Sequence, residues 1–205
     1  MAFNIAQFKS LGLKYGGARS ALFSCSVTFP ASIGIVAGTG NSLTYAAQAA
    51  SLPESAVGVV EVPYFGRKIK IAGDRTFGEW RITVQNDEDF KVRSGFEAWS
   101  GAINAMRNNV RSANFTFPEA YKQDMYVTQY SKDGAAIRSY QFVGAFPSTV
   151  DAIELDWNNQ NQIETFNVTI AYDYWVGGNL IPSNVDLPPV SGQGFGRVST
   201  SEIPN

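Results

Sequence analysis

The sequence predicts a mainly β protein with one internal α-helix and a long hairpin. Three observations carry that expectation. The chain has 205 residues, 44% of them hydrophobic and 17% charged, enough to bury a substantial core. Apolar and polar residues alternate one by one through most of the chain, which is the period of a strand. Only one internal segment repeats its large apolar residues at helical spacing.

Residues 22–29 set Phe23, Cys25, Val27 and Phe29 on one face and Ser24, Ser26 and Thr28 on the other. Pro30 and the small polar residues of 31–42 then predict a loop, and a second strand is expected over about 43–50. Residues 55–62 and 67–72 read as the two arms of the hairpin, broken at Pro63-Tyr64-Phe65-Gly66. On its return arm Ile69 and Ile71 alternate with Lys68 and Lys70. Over 79–85, Trp80, Ile82 and Val84 oppose Glu79, Arg81, Thr83 and Gln85.

The helix is expected from Asp87 to about Arg107, where Val92, Phe96, Trp99, Ile103 and Met106 share a face. Asn86 suits its N-cap, and Asp87, Glu88 and Asp89 suit the positive end of its dipole better than a metal or acid–base site. Strands are expected near 123–131, 137–146 and 162–176. In the last, Phe166, Val168, Ile170, Tyr172 and Tyr174 should face the core, and Thr165, Asn167, Thr169, Ala171 and Asp173 the other way. From Gly177 the composition turns to Gly, Pro, Ser and Asn. The folded domain is therefore read as 1–176, and 177–205 as an extended C-terminal arm dispensable for folding.

Composition narrows the function. Histidine is absent, which removes Ser-His-Asp triads, Cys-His dyads and most zinc sites together. The single cysteine, Cys25, fits a buried inert thiol in a reducing compartment. A net charge of −2 does not suit a protein that gains affinity by neutralising phosphates. Nothing reads as a membrane span, and Met1 to Lys14 lacks the charge order of a signal peptide. Asp156-Trp157-Asn158-Asn159-Gln160 lacks the glycine and glutamate of a calcium loop and reads as a turn. No cofactor, metal or catalytic constellation is expected.

Several separate motifs, in order, carry a resemblance. They are Leu52-Pro53, Arg67-Lys68-Ile69, Gly73-Asp74-Arg75-Thr76-Phe77, Trp80, and Val84-Gln85-Asn86-Asp87-Glu88. Phe146-Pro147-Ser148-Thr149-Val150 follows, leading to Leu155-Asp156-Trp157. The closing run is Ile163-Glu164-Thr165-Phe166-Asn167-Val168-Thr169 through Asp173-Tyr174-Trp175. Over roughly 20–175 the chain resembles the tail tube proteins of contractile-tailed bacteriophages of the T-even type.

That resemblance implies a subunit built as an antiparallel β-sandwich or barrel with one flanking α-helix, and rings of six such subunits, stacked into the inner tail tube that conducts DNA within a contractile sheath. It also implies a virion protein assembled in the host cytoplasm. Its partners would be further copies, the sheath, the baseplate and the tail terminator, with DNA passing through the lumen without specific binding. The nearest alternative is the inner tube of a type VI secretion or R-type pyocin-like injection system. Residues 151–175 hold five acids and no Lys or Arg, so Thr165, Asn167, Thr169 and Asp173 are the expected lumen-facing residues. Tyr64, Phe65, Arg67, Lys68 and Lys70, an apolar and basic hairpin tip, are the expected contacts between subunits or rings. Two rival classes are weighed beside this: a carboxylate-dependent hydrolase, which lacks a convincing acid pair, and a monomeric carbohydrate-binding sandwich.

Overall fold

The computed structural model describes residues 16–35, 39–158 and 160–179, with 5, 8–12 and 14 ahead of them. In chain order the elements are β1 (Phe23–Val27), α1 (Thr39–Ala46), β2 (Ala47–Ala50), β3 (Ala56–Tyr64), β4 (Arg67–Thr76) and β5 (Trp80–Gln85). Then come α2 (Lys91–Ile103), a single-turn α3 (Pro118–Tyr121), β6 (Gln123–Tyr130), β7 (Ala136–Val150), β8 (Thr165–Ala171) and β9 (Tyr174–Asn179). Seven strands form one antiparallel system, ordered β1-β6-β7-β8-β5-β2 with β9 also on β7, while β3 and β4 pair only with each other.

The long strand β7 builds the sandwich. Its first part, opposite β6, is flanked by β9 over 138–143, and its end pairs with β8 over 146–150. Between these parts the chain bends at Gly144 (φ 67°), where an added Cβ would lie 2.4 Å from Asp173 Oδ2. Pro147 and a register shift before Thr149 complete the change of direction. Folded over in this way, the two halves bring the Trp80 and Phe142 rings into a stack at 4.1 Å, at the centre of the core.

The alternation read from the sequence is kept in β1 and β5, where Cys25, Val27, Trp80, Ile82 and Val84 are buried. Helix α2 covers the core with Val92, Gly95, Phe96 and Trp99. Gly95 lets Phe29 approach closely, since a Cβ there would sit 3.1 Å from the Phe29 ring. Trp99 donates its indole N–H to the Tyr121 carbonyl at 2.9 Å.

Four expectations need correction. The helix starts at Lys91, not Asp87: Phe90 takes a left-handed conformation (φ 51°), and Asp89 accepts the Lys91 N–H at 3.0 Å. Asn86 is no cap, because its amide and backbone N–H both bond to Glu164 (3.1 and 2.9 Å). At the far end Asn104 breaks the helix and leaves Met106 84% exposed. Second, residues 39–46, expected as loop and strand, form helix α1, which buries Thr39 and Leu43 one turn apart.

Third, the single strand expected over 162–176 is two. β8 ends at Ala171, the chain crosses at Tyr172 and Asp173, and β9 takes up the same flank of β7. The crossing resets the alternation: Phe166, Val168 and Ile170 are buried, but Tyr174 faces solvent and Trp175 turns in against Tyr140. Fourth, Gly177 and Gly178 lie in β9, opposite Tyr140 and Ser139, so sheet pairing runs past residue 176. The remainder of the expected arm, 180–205, lies outside the described residues.

Cys25 is fully buried, and desolvation pushes its thiol up to about 12. The folded state holds the neutral thiol. Its contribution is therefore intact below the ordinary value of 9.0 and is lost as pH rises toward about 12. Thiol reagents at mildly alkaline pH are expected to leave Cys25 unlabelled until denaturant is added, and the denaturation midpoint should fall across that alkaline window.

Candidate assembly interface

The β3–β4 hairpin stands away from the sandwich with almost every residue exposed. Its register sorts the side chains into two unlike faces, because residues directly opposite in a ladder share a face. Val60 with Ile71, Val62 with Ile69, and Tyr64 with Arg67 make one face. Glu61 with Lys70 and Pro63 with Lys68 make the other, where Lys68 Nζ bonds diagonally to Glu61 at 2.7 Å. The first face is apolar and bare: Val60, Val62, Ile69, Ile71 and Tyr64 are all 42–62% exposed. Phe65 tops the turn, 91% exposed and edge-on to Tyr64 at 4.7 Å. A two-stranded hairpin is marginal in water, so a bare apolar face of this extent marks a surface to be covered.

The root of the hairpin is pinned. Trp80 donates its indole N–H to the Ser51 carbonyl (2.8 Å), and Trp175 donates its own to the Glu54 carbonyl (2.9 Å). Arg75 also bonds Ser55 across the base. Sequence reasoning found the hairpin tip but not these anchors: the two indoles bond backbone oxygens far away along the chain, and Arg75 bonds the Ser55 hydroxyl.

The expected lumen residues do not form one surface. Thr165 is exposed and Asn167 half-buried, its side-chain oxygen accepting from Thr83 Oγ1 at 2.8 Å. Thr169, between Arg81 and Thr149 in the adjoining strands, is only 4% exposed. Asp173 sits at the β8–β9 crossing and pairs with Lys122 Nζ at 2.7 Å, so it is not part of the β8 face. Arg81 is exposed beside Thr169, so this outer face carries a cation that the strand's own residues did not reveal.

The loop 151–164, which links β7 to β8, carries a second exposed group: Leu155 (79%), Trp157 (99%) and Ile163 (69%). Residues 152–157 and 162–165 surround an open cleft of about 530 Å³. Arg93 Nη1 bonds the Asp151 carbonyl at 3.1 Å and holds the start of this loop to α2. Among the described residues, no three His, Cys, Asp or Glu side chains gather as metal ligands, and no helix is long and apolar enough to cross a membrane.

A β-rich body with a pinned, half-apolar arm defines a structural building block. Comparison with known proteins gives the class its identity. The phage tail tube protein model matches residues 18–177. The tail tube protein gp19 of Enterobacteria phage T4 is 36% identical over 137 residues, spanning 66% of this chain and 82% of that protein. A chain of the anti-feeding prophage baseplate, solved with six-fold symmetrisation, shares the fold with a TM-score of 0.54 at 13% identity, covering 81% of this chain and 98% of its own. A chain of the sheath–tube complex of an extracellular contractile injection system, in the extended state, gives 0.50 at 13% identity, covering 87% and 99%. The chain belongs to the phage tail tube protein family, and the resemblance to contractile-tail tube proteins read from its motifs holds. It is a structural protein of the virion tail.

Proposed function

We propose that copies of this chain close into rings of six, and that the rings stack into the inner tail tube, which conducts DNA inside a contractile sheath. The observation that carries this reading is the bare apolar face of the β3–β4 arm, which the subunit itself leaves uncovered. Six-fold symmetry in the baseplate that contains a chain of the same fold supports the ring size. Sheath, baseplate and terminator are its partners on the same reasoning, since chains of this fold occur in sheath–tube and terminator structures. These neighbours also favour, as a second reading, the tube of a contractile injection system. Electron micrographs of the purified protein should show tubes with six-fold end views, and a protein that stays monomeric at high concentration would overturn the proposal.

We propose that the outer face of β8 and β5 lines the channel. Thr165, Asn167 and Thr83 offer DNA neither an apolar surface nor a charge, and Arg81 is the cation on that face. A cation repeated around a closed ring retains phosphate through counterion release. Tubes of Thr165→Arg are expected to assemble but to slow ejection in a salt-dependent way, and Arg81→Gln should do the reverse. Unchanged ejection rates in both variants would remove this face from the channel.

A further inference from the structure

We infer that the β3–β4 arm of one copy seats in the cleft of the 151–164 loop of the next, a head-to-tail contact between unlike surfaces. This rests on the reading that copies of the chain associate; what it adds is which surface meets which.

The two surfaces lie at opposite ends of the same strands. Thr165 pairs with Gln85 at the end of the sheet where the loop returns, and Ile170 pairs with Trp80 at the end where the arm is rooted. Six residues of β5 separate these ends by roughly 17 Å at strand rise. A contact between opposite ends of one subunit cannot be satisfied within it. It recurs from copy to copy and closes a ring or extends a filament.

Charge and apolar surface select the match. The loop carries Asp151, Glu154, Asp156 and Glu164 and no Lys or Arg, and the acidic turn 87–89 adjoins it through the Asn86–Glu164 bonds. The arm carries Arg67, Lys68, Lys70 and Arg75 against Glu61 and Asp74. The exposed apolar residues that follow α2, Met106, Val110 and Phe117, share their stretch of chain with Arg107 and Arg111, which would repel a basic arm. Leu155, Trp157 and Ile163 around the cleft offer apolar surface to Tyr64, Phe65 and the Val62–Ile69 face, within an acidic rim that suits Arg67 on that same face.

Two single-site variants of the full chain test this, Phe65→Cys on the arm and Trp157→Cys at the cleft. Both positions are over 90% exposed, and native Cys25 is fully buried. The proteins are mixed, treated with a short bis-maleimide, resolved on a denaturing gel and examined by electron microscopy in parallel. A dimer band in the mixture that neither variant gives alone is the expected result. Adding Arg67→Glu to the arm variant should lower that band about ten-fold at low salt. Glu154→Lys with Asp156→Lys in the cleft variant should restore it.

Rings or tubes without the mixed band would overturn this contact while leaving the tube reading intact. The mixed band in open filaments that never close would support the contact and count against rings of six. A band in the Phe65→Cys protein alone, or monomers with no band at any concentration, would overturn the contact.

Discussion

Replacing Val62 and Ile69 together by Asp is expected to abolish tube formation while leaving the subunit's urea midpoint nearly unchanged. Both side chains lie on the apolar face of the arm, paired across the ladder and 42% and 52% exposed, and neither belongs to the buried core. Exposed substitutions outside special features shift stability by only about 0.5 kcal/mol. In the assembly the same two positions would be covered, each contributing about 1.5–3 kcal/mol of apolar burial. Two carboxylates remove that gain and add the cost of desolvating charge at every arm. Circular dichroism and urea melts would report a folded subunit, and sedimentation would show no large species. Normal tubes from the double variant would mean that this face stays in water.

The largest effect on stability is expected at Trp80. Its ring is 1% exposed and stacks on Phe142, and its N–H holds the Ser51 carbonyl. Trp80→Ala opens a cavity between the two halves of the sandwich and should cost about 3–5 kcal/mol. Against a typical total of about 5–15 kcal/mol, that brings the subunit close to unfolding at ordinary temperature. Trp80→Phe keeps most of the ring but leaves the Ser51 carbonyl without this donor, at about 1–3 kcal/mol. Urea midpoints of the two variants check both values, and near-equal midpoints would place the weight on the hydrogen bond instead of the packing.

How far the fold was legible depended on whether neighbours along the chain decide it. Cys25, Val27, Ile82 and Val84 alternate because a half-buried strand has period two, and Val92, Phe96 and Trp99 recur because a helix does. Both patterns survive folding. Helix α1 was missed because Thr39-Gly40-Asn41-Ser42 is poor helix sequence, held in place by packing against β1 and α2. The crossing at Tyr172 and Asp173 was missed because aromatics at 172 and 174 continue the even-numbered pattern past the point where the chain changes sheets. The exposed hairpin tip was legible from its composition, but which side chains share its apolar face needed the register of β3 against β4. Thr169 and Asp173 looked alike on paper. One is walled in by neighbouring strands and the other is tied to Lys122, and both facts belong to strands distant in sequence.

The two indole bonds at the root of the arm also set the path that mechanical load takes. A pull on the hairpin reaches the body at Ser51 and Glu54, whose carbonyls are held by Trp80 in β5 and Trp175 in β9. Strand β5 pairs with β8 and β9 pairs directly with β7, with Trp80 stacked on Phe142 of β7 and Trp175 opposite Phe142 in the ladder. Tension therefore converges on a single residue from two directions, through a ring stack and a strand pairing. The arm behaves as a lever with its fulcrum in the core, and force applied at its tip passes through residues 51–55 to the centre of the sandwich.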